Sequence, residues 1–224
     1  GFYDLPGQTE GLKASRKVAR YVRERFDNFV LLGIGGSALG PICVHTALAH
    51  PYYNLLDKAG RNGGPRMFFL DNADPEWVGR LGESLDLKKT FFSVVSKSGS
   101  TPETLAQMMV FYKALTKQVG EASAKDHFCV TTDPVKGPLR ELANTRGWMA
   151  LDVPRNVGGR FSVLTSVGLL PAEVEGISGA KLLKGAAEMA QRCEGTAIWK
   201  NPALLYAVIH YLADTTRGKT ISVM

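Results

Sequence analysis

The chain has 224 residues, 45% of them hydrophobic and 21% charged, with a mean hydropathy of −0.05, so it can bury a full domain core and extensive disorder is excluded. Lys and Arg outnumber Asp and Glu by 27 to 21, a net charge of +6 with pI near 9.2, which suits an anionic small molecule or nucleic acid without choosing between them. Three widely spaced cysteines, Cys43, Cys129 and Cys193, with no CxxC, argue against a disulfide framework or a structural zinc and fit reduced thiols in a cytoplasmic protein.

The opening GFYD is neither basic nor followed by an apolar leader, so no secretory signal is expected. Residues 12–26 predict an amphipathic helix: Leu12, Ser15, Val18, Ala19, Val22 and Phe26 form one stripe, and Lys13, Arg16, Lys17, Arg20 and Arg23 a basic one that reads as a solvated face, with contact to an acidic partner or nucleic acid as the alternative. The longest stretch without formal charge, Phe29 to Leu56, is interrupted by glycines, Pro41, His45, His50 and Pro51, which excludes a membrane span there. Strands are expected at Asn28–Gly33, Arg66–Leu70, Thr90–Ser96, His127–Thr132 and Trp148–Val153, alternating with helices at Ala38–His50, Pro75–Ser84, Pro102–Val119 and Lys136–Thr145. Strands that are apolar almost throughout and separated by helices predict an α/β fold, a doubly wound, mainly parallel five-stranded sheet with helices on both faces. Ligands of such sheets sit at the carboxyl ends of the strands. Beyond residue 153 the pattern turns helical, at Phe161–Leu170, Ser178–Cys193 and Pro202–Arg217, and Lys219–Met224 (KTISVM) reads as the start of a further strand with no partner after it, as in a truncated chain.

Two segments rich in Gly, Ser and Thr follow strands directly. In Gly33-Ile34-Gly35-Gly36-Ser37-Ala38-Leu39-Gly40 the glycines let backbone N–H groups approach a ligand, and the following helix presents its positive end there. The same residues satisfy GxGxxA through Gly33, Gly35 and Ala38, with Asp71 closing the second strand, so a dinucleotide-binding dehydrogenase stays open on this segment alone. A glycine turn needed only for packing helix on sheet is the plainer alternative. The second segment, Ser96-Lys97-Ser98-Gly99-Ser100-Thr101-Pro102-Glu103-Thr104, places five hydroxyl residues in nine between a buried strand and a helix. Thr101 is positioned as N-cap with Pro102 first in the helix. Ordinary capping uses one or two hydroxyls; five suit a phosphate monoester, which takes many donors in a small volume. Glu103, in the first turn, reads as a dipole partner rather than a base.

A third segment, Val157-Gly158-Gly159-Arg160-Phe161-Ser162, aims an arginine from a turn, either to hold a phosphate or developing oxyanion or simply as a surface side chain. The four histidines, His45, His50, His127 and His210, show no metal-ligand spacing, and HExxH, GxSxG and GxxxxGK[ST] are absent, which removes support for zinc hydrolysis, α/β-hydrolase chemistry and P-loop phosphoryl transfer.

Together GIGGSALGP, SKSGSTPET and VGGRFSVLTSVGLLP, with the opening GFYDLP and the closing KTISVM, resemble the glucose-6-phosphate isomerase (phosphoglucose isomerase) family, especially its bacterial members, over nearly the whole chain. The resemblance implies a flavodoxin-like sugar-isomerase (SIS) fold. It also implies interconversion of glucose 6-phosphate and fructose 6-phosphate in glycolysis and gluconeogenesis, and a homodimer. No metal, organic cofactor, nucleic-acid or membrane partner is implied. By motif match, Ser96, Lys97, Ser98, Thr101 and Thr104 would bind the sugar phosphate, Gly36 and Ser37 would meet it from the first turn, and Arg160 would stabilise the enediolate. The family's base, a glutamate, and its ring-opening histidine and late lysine lie beyond the segment resembling KTISVM. The expectation is therefore a first sugar-isomerase domain without the machinery for turnover: residues 1–27 a helical segment packed on it, 28–175 the sugar-phosphate domain, and 176–224 a helical connection and the start of a second such domain. A non-catalytic phosphosugar-sensing domain would share the first two motifs but has no need of VGGRFSVLTSVGLLP.

Overall fold

Five strands, β1 (Asn28–Leu32), β2 (Arg66–Leu70), β3 (Thr90–Val95), β4 (Phe128–Thr132) and β5 (Met149–Asp152), pair in one parallel sheet in the order β2-β1-β3-β4-β5. The computed structural model describes residues 1–220, and the strand expected at 219–224 falls, but for its first two residues, outside them. By internal contacts the chain divides into two units, Gly1–Ala180 and Lys181–Met224.

The strands read as uniformly apolar because both faces of the sheet are covered. Side chains alternate across a strand, so one run supplies two cores. Phe29 and Leu31 of β1, Phe91 and Val95 of β3 and Cys129 of β4 join one cluster. Val30, Leu32, Phe92, Val94, Phe128 and Val130 join the other. The first is closed by α1 (Glu10–Arg25) through Val18, Ala19 and Val22, α2 (Gly36–Leu48) through Ala38, and α7 (Ser166–Glu175) through Val167, Leu170 and Val174. The second is closed by α3 (Pro75–Ser84), α4 (Pro102–Val119) and α6 (Pro138–Arg146) through Val78, Met108, Phe111, Leu115, Leu139 and Ala143. A short α5 (Glu121–Ala124) follows α4. Phe92 packs against a tilted Phe111 and stacks on Phe128, with centroids 4.9 and 5.1 Å away, and burial of each such ring contributes about 1.5–3 kcal/mol.

The helix expected at 161–170 is two elements. A 3-10 turn covers Gly159–Leu164 and α7 begins at Ser166 and runs to Glu175. The reason is Thr165, whose extended backbone interrupts the run while its Oγ1 accepts Val167 N–H at 3.2 Å and donates to Ser162 O at 2.6 Å. Apolar spacing continues across this break, so periodicity alone misses it. The second unit contains most of α8 (Gly179–Arg192) and all of α9 (Pro202–Arg217). Asn201 caps α9 by accepting from Ala203 and Leu204 N–H while its Nδ2 donates to Cys193 O and Gly195 O.

At the open edge of the sheet, Asn54 answers the backbone of β2 directly: its Nδ2 donates to Met67 O and its Oδ1 accepts from Met67 N–H, both at 2.7 Å.

Beneath α2, His45 Nδ1 stands 3.1 Å from Oε2 of Glu175, which is 4% exposed. Burial raises the Glu175 carboxyl above its ordinary value, opposed by His45, while the nearby buried Tyr53 hydroxyl is pushed up to about 12. The folded chain therefore holds the Glu175 proton more tightly than the unfolded chain. That contribution to stability is complete below the unfolded value and is lost as pH rises through the folded one. In urea titrations from pH 4.5 to 8, Glu175→Gln should accordingly gain on the unsubstituted chain as pH rises. A gap that stays flat or moves the other way would mean a carboxylate ionised in the fold throughout.

Candidate functional site

The order β2-β1-β3-β4-β5 reverses direction between β1 and β3, the switch point outside which ligands of open α/β sheets bind. The loops leaving β1, β3 and β4 meet there around a cleft of about 460 Å³, lined by Ile34, Gly36, Ser37, Lys97, Ser98, Thr101, Asp133, Lys136 and Gly159. The amino ends of α2 and α4 both open at this cleft and bring partial positive charge to it, although in α2 the N–H groups of Ser37 and Ala38 are already bonded to Ile34 O and Gly35 O at 3.2 and 3.0 Å. A second cleft, of about 360 Å³, lies against β5 and includes Glu10 and Asp152 in its lining; these carboxylates are paired with Lys13 and Arg140 respectively.

Gly36 fixes the spacing of the first turn. A Cβ there would lie 2.2 Å from Gly159 O and 2.3 Å from its carbonyl carbon. The turn after β1 and the start of the 3-10 segment thus meet backbone to backbone. Ser162 Oγ completes the junction, donating to Gly159 O at 2.7 Å or Gly36 O at 3.2 Å. Distant segments 33–37 and 157–160 become one wall.

In the second loop, Gly99 at φ +71° turns the chain so that its N–H reaches Ser96 Oγ at 3.1 Å. Ser96 is 1% exposed and its hydroxyl lies 2.8 Å from Thr101 Oγ1 and 3.4 Å from Ser98 Oγ. Thr101 occupies the N-cap of α4 as expected, but its side chain makes no cap hydrogen bond. Its hydroxyl is held by Ser96 instead, which leaves the first-turn N–H groups of α4 uncapped. Ser98 Oγ lies within reach of both the N–H and the hydroxyl of Ser100, at 3.2 Å each.

Of the eight residues singled out from the sequence, Gly36, Ser37, Lys97, Ser98 and Thr101 line the cleft, and Ser96, Thr104 and Arg160 do not. Ser96 organises the loop from beneath. Thr104 is fully buried within α4, with Oγ1 unpartnered among the described residues. Arg160 directly follows Gly159 of the cleft wall; its side chain is exposed and makes no hydrogen bond or ion pair among the described residues.

Asp133 and Lys136 belong to the cleft without having been singled out. They follow β4 in the segment DPVKG, and the carboxyl-end rule applied to that strand would have pointed to them. Asp133 Oδ1 accepts from Val135 N–H at 2.9 Å and Lys136 N–H at 3.1 Å, and Oδ2 faces Arg155 Nε at 3.4 Å. The two backbone N–H groups, then Arg155, hold this carboxyl below the ordinary range. Among the described residues no group of His, Cys, Asp and Glu is arranged to hold a metal, and no helix is long and apolar enough to cross a membrane.

These features define a doubly wound, flavodoxin-like α/β domain with a donor-rich cleft at its switch point. The Phosphoglucose isomerase family model matches residues 13–224, and the chain belongs to that family. Similar relatives are the glucose-6-phosphate isomerases of Carboxydothermus hydrogenoformans, 50% identical over all of this chain and 48% of the relative, and of Rubrobacter xylanophilus, 45% identical over all of this chain and 51% of the relative. Among solved structures, a hypothetical protein from Thermus thermophilus is 40% identical with TM-score 0.83, covering 95% of this chain and 48% of its own. A glucose-6-phosphate isomerase from Chlamydia trachomatis is 26% identical with TM-score 0.77, covering 92% and 38% respectively. The chain spans about half the length of the curated relatives it matches.

Proposed function

We propose that the cleft at the ends of β1 and β3 is the sugar-phosphate site of an aldose–ketose isomerase that interconverts glucose 6-phosphate and fructose 6-phosphate through an enediol. The observation that carries this reading is the convergence of the α2 and α4 amino ends with Ser37, Ser98 and Thr101 on one cleft. A phosphate dianion matches that density of donors. In this reading Arg160, unengaged beside Gly159, turns toward charge developing on the sugar carbonyl oxygen, and Ser96 and Thr104 act only by shaping the loop and α4. Residues 28–175 form the sugar-phosphate domain and 176–224 lead toward a second one; the complete enzyme works as a homodimer without a metal or organic cofactor.

Moving a proton between C1 and C2 requires a general base. Among the described residues, Asp133 is the one carboxylate in the cleft wall, and the N–H groups that hold its charge make it a poor proton acceptor. The 224-residue chain alone should therefore bind but not turn over.

Thermal unfolding and an activity assay test the two statements. Fructose 6-phosphate should raise the midpoint, because a ligand that prefers the folded state stabilises it, and NAD should not. A shift with NAD alone would support the dehydrogenase left open by Gly33, Gly35 and Ala38. Robust isomerisation by the purified chain would overturn the argument about the base.

A further inference from the structure

A lysine in an anion cleft is expected to face the anion, yet Lys97 does something else. Its Nζ donates to Arg155 O at 2.9 Å and to Val157 O at 2.6 Å. An ammonium has three donors, so two are spent on the segment that leads from β5 into the 3-10 turn. That segment runs directly into Gly159 and Arg160, the first two residues of the 3-10 turn, and the stretch is held at three further points. Arg155 Nε faces Asp133, Val157 N–H bonds Pro154 O, and Gly159 is pressed on Gly36 with Ser162 beside both. Within the loop after β3, Lys97 supplies the side chain that reaches across to it.

We infer that Lys97 is a positioning residue: through the carbonyls of Arg155 and Val157 it ties the turn bearing Arg160 to the loop 96–101, so that binding in the loop and placement of Arg160 are coupled. The inference rests on the sugar-phosphate reading of that loop. It differs from a direct ionic contact in what the ligand senses. Inorganic phosphate engages the loop alone, whereas a sugar phosphate extends from the loop toward the Arg160 turn, so only the second depends on the tie.

The test compares Lys97→Met, which keeps the aliphatic stem and removes the donors, with Lys97→Arg, whose fork can reach both carbonyls. In the ligand-free 224-residue chain, amide exchange across residues 157–161 should quicken at least tenfold in Lys97→Met and return toward the unsubstituted rate in Lys97→Arg. Fructose 6-phosphate affinity should fall about tenfold or more in Lys97→Met, as for a lost hydrogen bond to a charged group, while inorganic phosphate affinity changes less than about threefold. Lys97→Arg should restore both. Equal losses for phosphate and sugar phosphate with unchanged exchange would make Lys97 an ordinary anion contact and overturn the inference, as would no change in any measurement. If the unsubstituted chain binds neither ligand, the sugar-phosphate reading fails, while the exchange comparison still decides whether the tie exists. Should Lys97→Met not fold, Lys97→Gln, with one neutral amide donor group, is read in its place, and exchange as slow as in the unsubstituted chain counts against the tie.

Discussion

Gly36→Ala should lose about 3 kcal/mol or more of stability, the upper end of what overpacking costs, and fructose 6-phosphate binding with it. The added Cβ would lie 2.2 Å from Gly159 O and 2.9 Å from Arg160 N. Both are main-chain atoms, which cannot rotate aside as a side chain does, so either the 157–160 turn or the start of α2 must shift. Gly158→Ala is the matched control: its backbone, φ −70° and ψ 154°, suits any residue, and its Cβ would meet only the Phe161 ring at 3.6 Å. Urea denaturation of the two variants should differ by at least about 2 kcal/mol. Equal midpoints would mean that the two turns are not pressed together.

The second large effect is expected from the hydroxyls of the loop after β3. Ser98→Ala and Thr101→Ala should each weaken phosphate binding by about 1.5–3 kcal/mol, the worth of a hydrogen bond to a charged group, or roughly 10- to 150-fold. Both hydroxyls lie near Ser96 Oγ, and neighbours in one network do not add. The double variant should therefore fall short of the product of the two single losses. Thr101→Ser keeps the hydroxyl and should stay within a few-fold of the unsubstituted chain. Calorimetric titration with inorganic phosphate reads all four variants, and an affinity in the double variant within threefold of the original would remove the loop from the site.

The sheet was legible in the sequence because β1, β3 and β4 are buried on both faces, so their residues are apolar almost without interruption. The cleft was legible where backbone geometry restricts the residue type, as at Gly36. Hydroxyl content located the loop after β3 but carried no information about direction. Ser96 and Thr104 turn inward because Gly99 folds the loop back and α4 carries residue 104 against the core. Asp133 and Lys136 carry no distinctive residue pattern, since DPVKG resembles any polar loop; only the carboxyl-end rule applied to β4 points to them, and that they share the cleft with the loop after β3 follows from β4 lying next to β3. The tie made by Lys97 depends on segments 58 and 60 residues apart, and sequence spacing is silent on it.

The carboxamide of Asn54 has a consequence for behaviour in crowded solution. An outermost strand with unanswered amides and carbonyls is a rail along which a second molecule can zip. Here the rung at Met67 is already occupied by a side chain of the same polypeptide, so an intruder would find the rail interrupted in mid-strand.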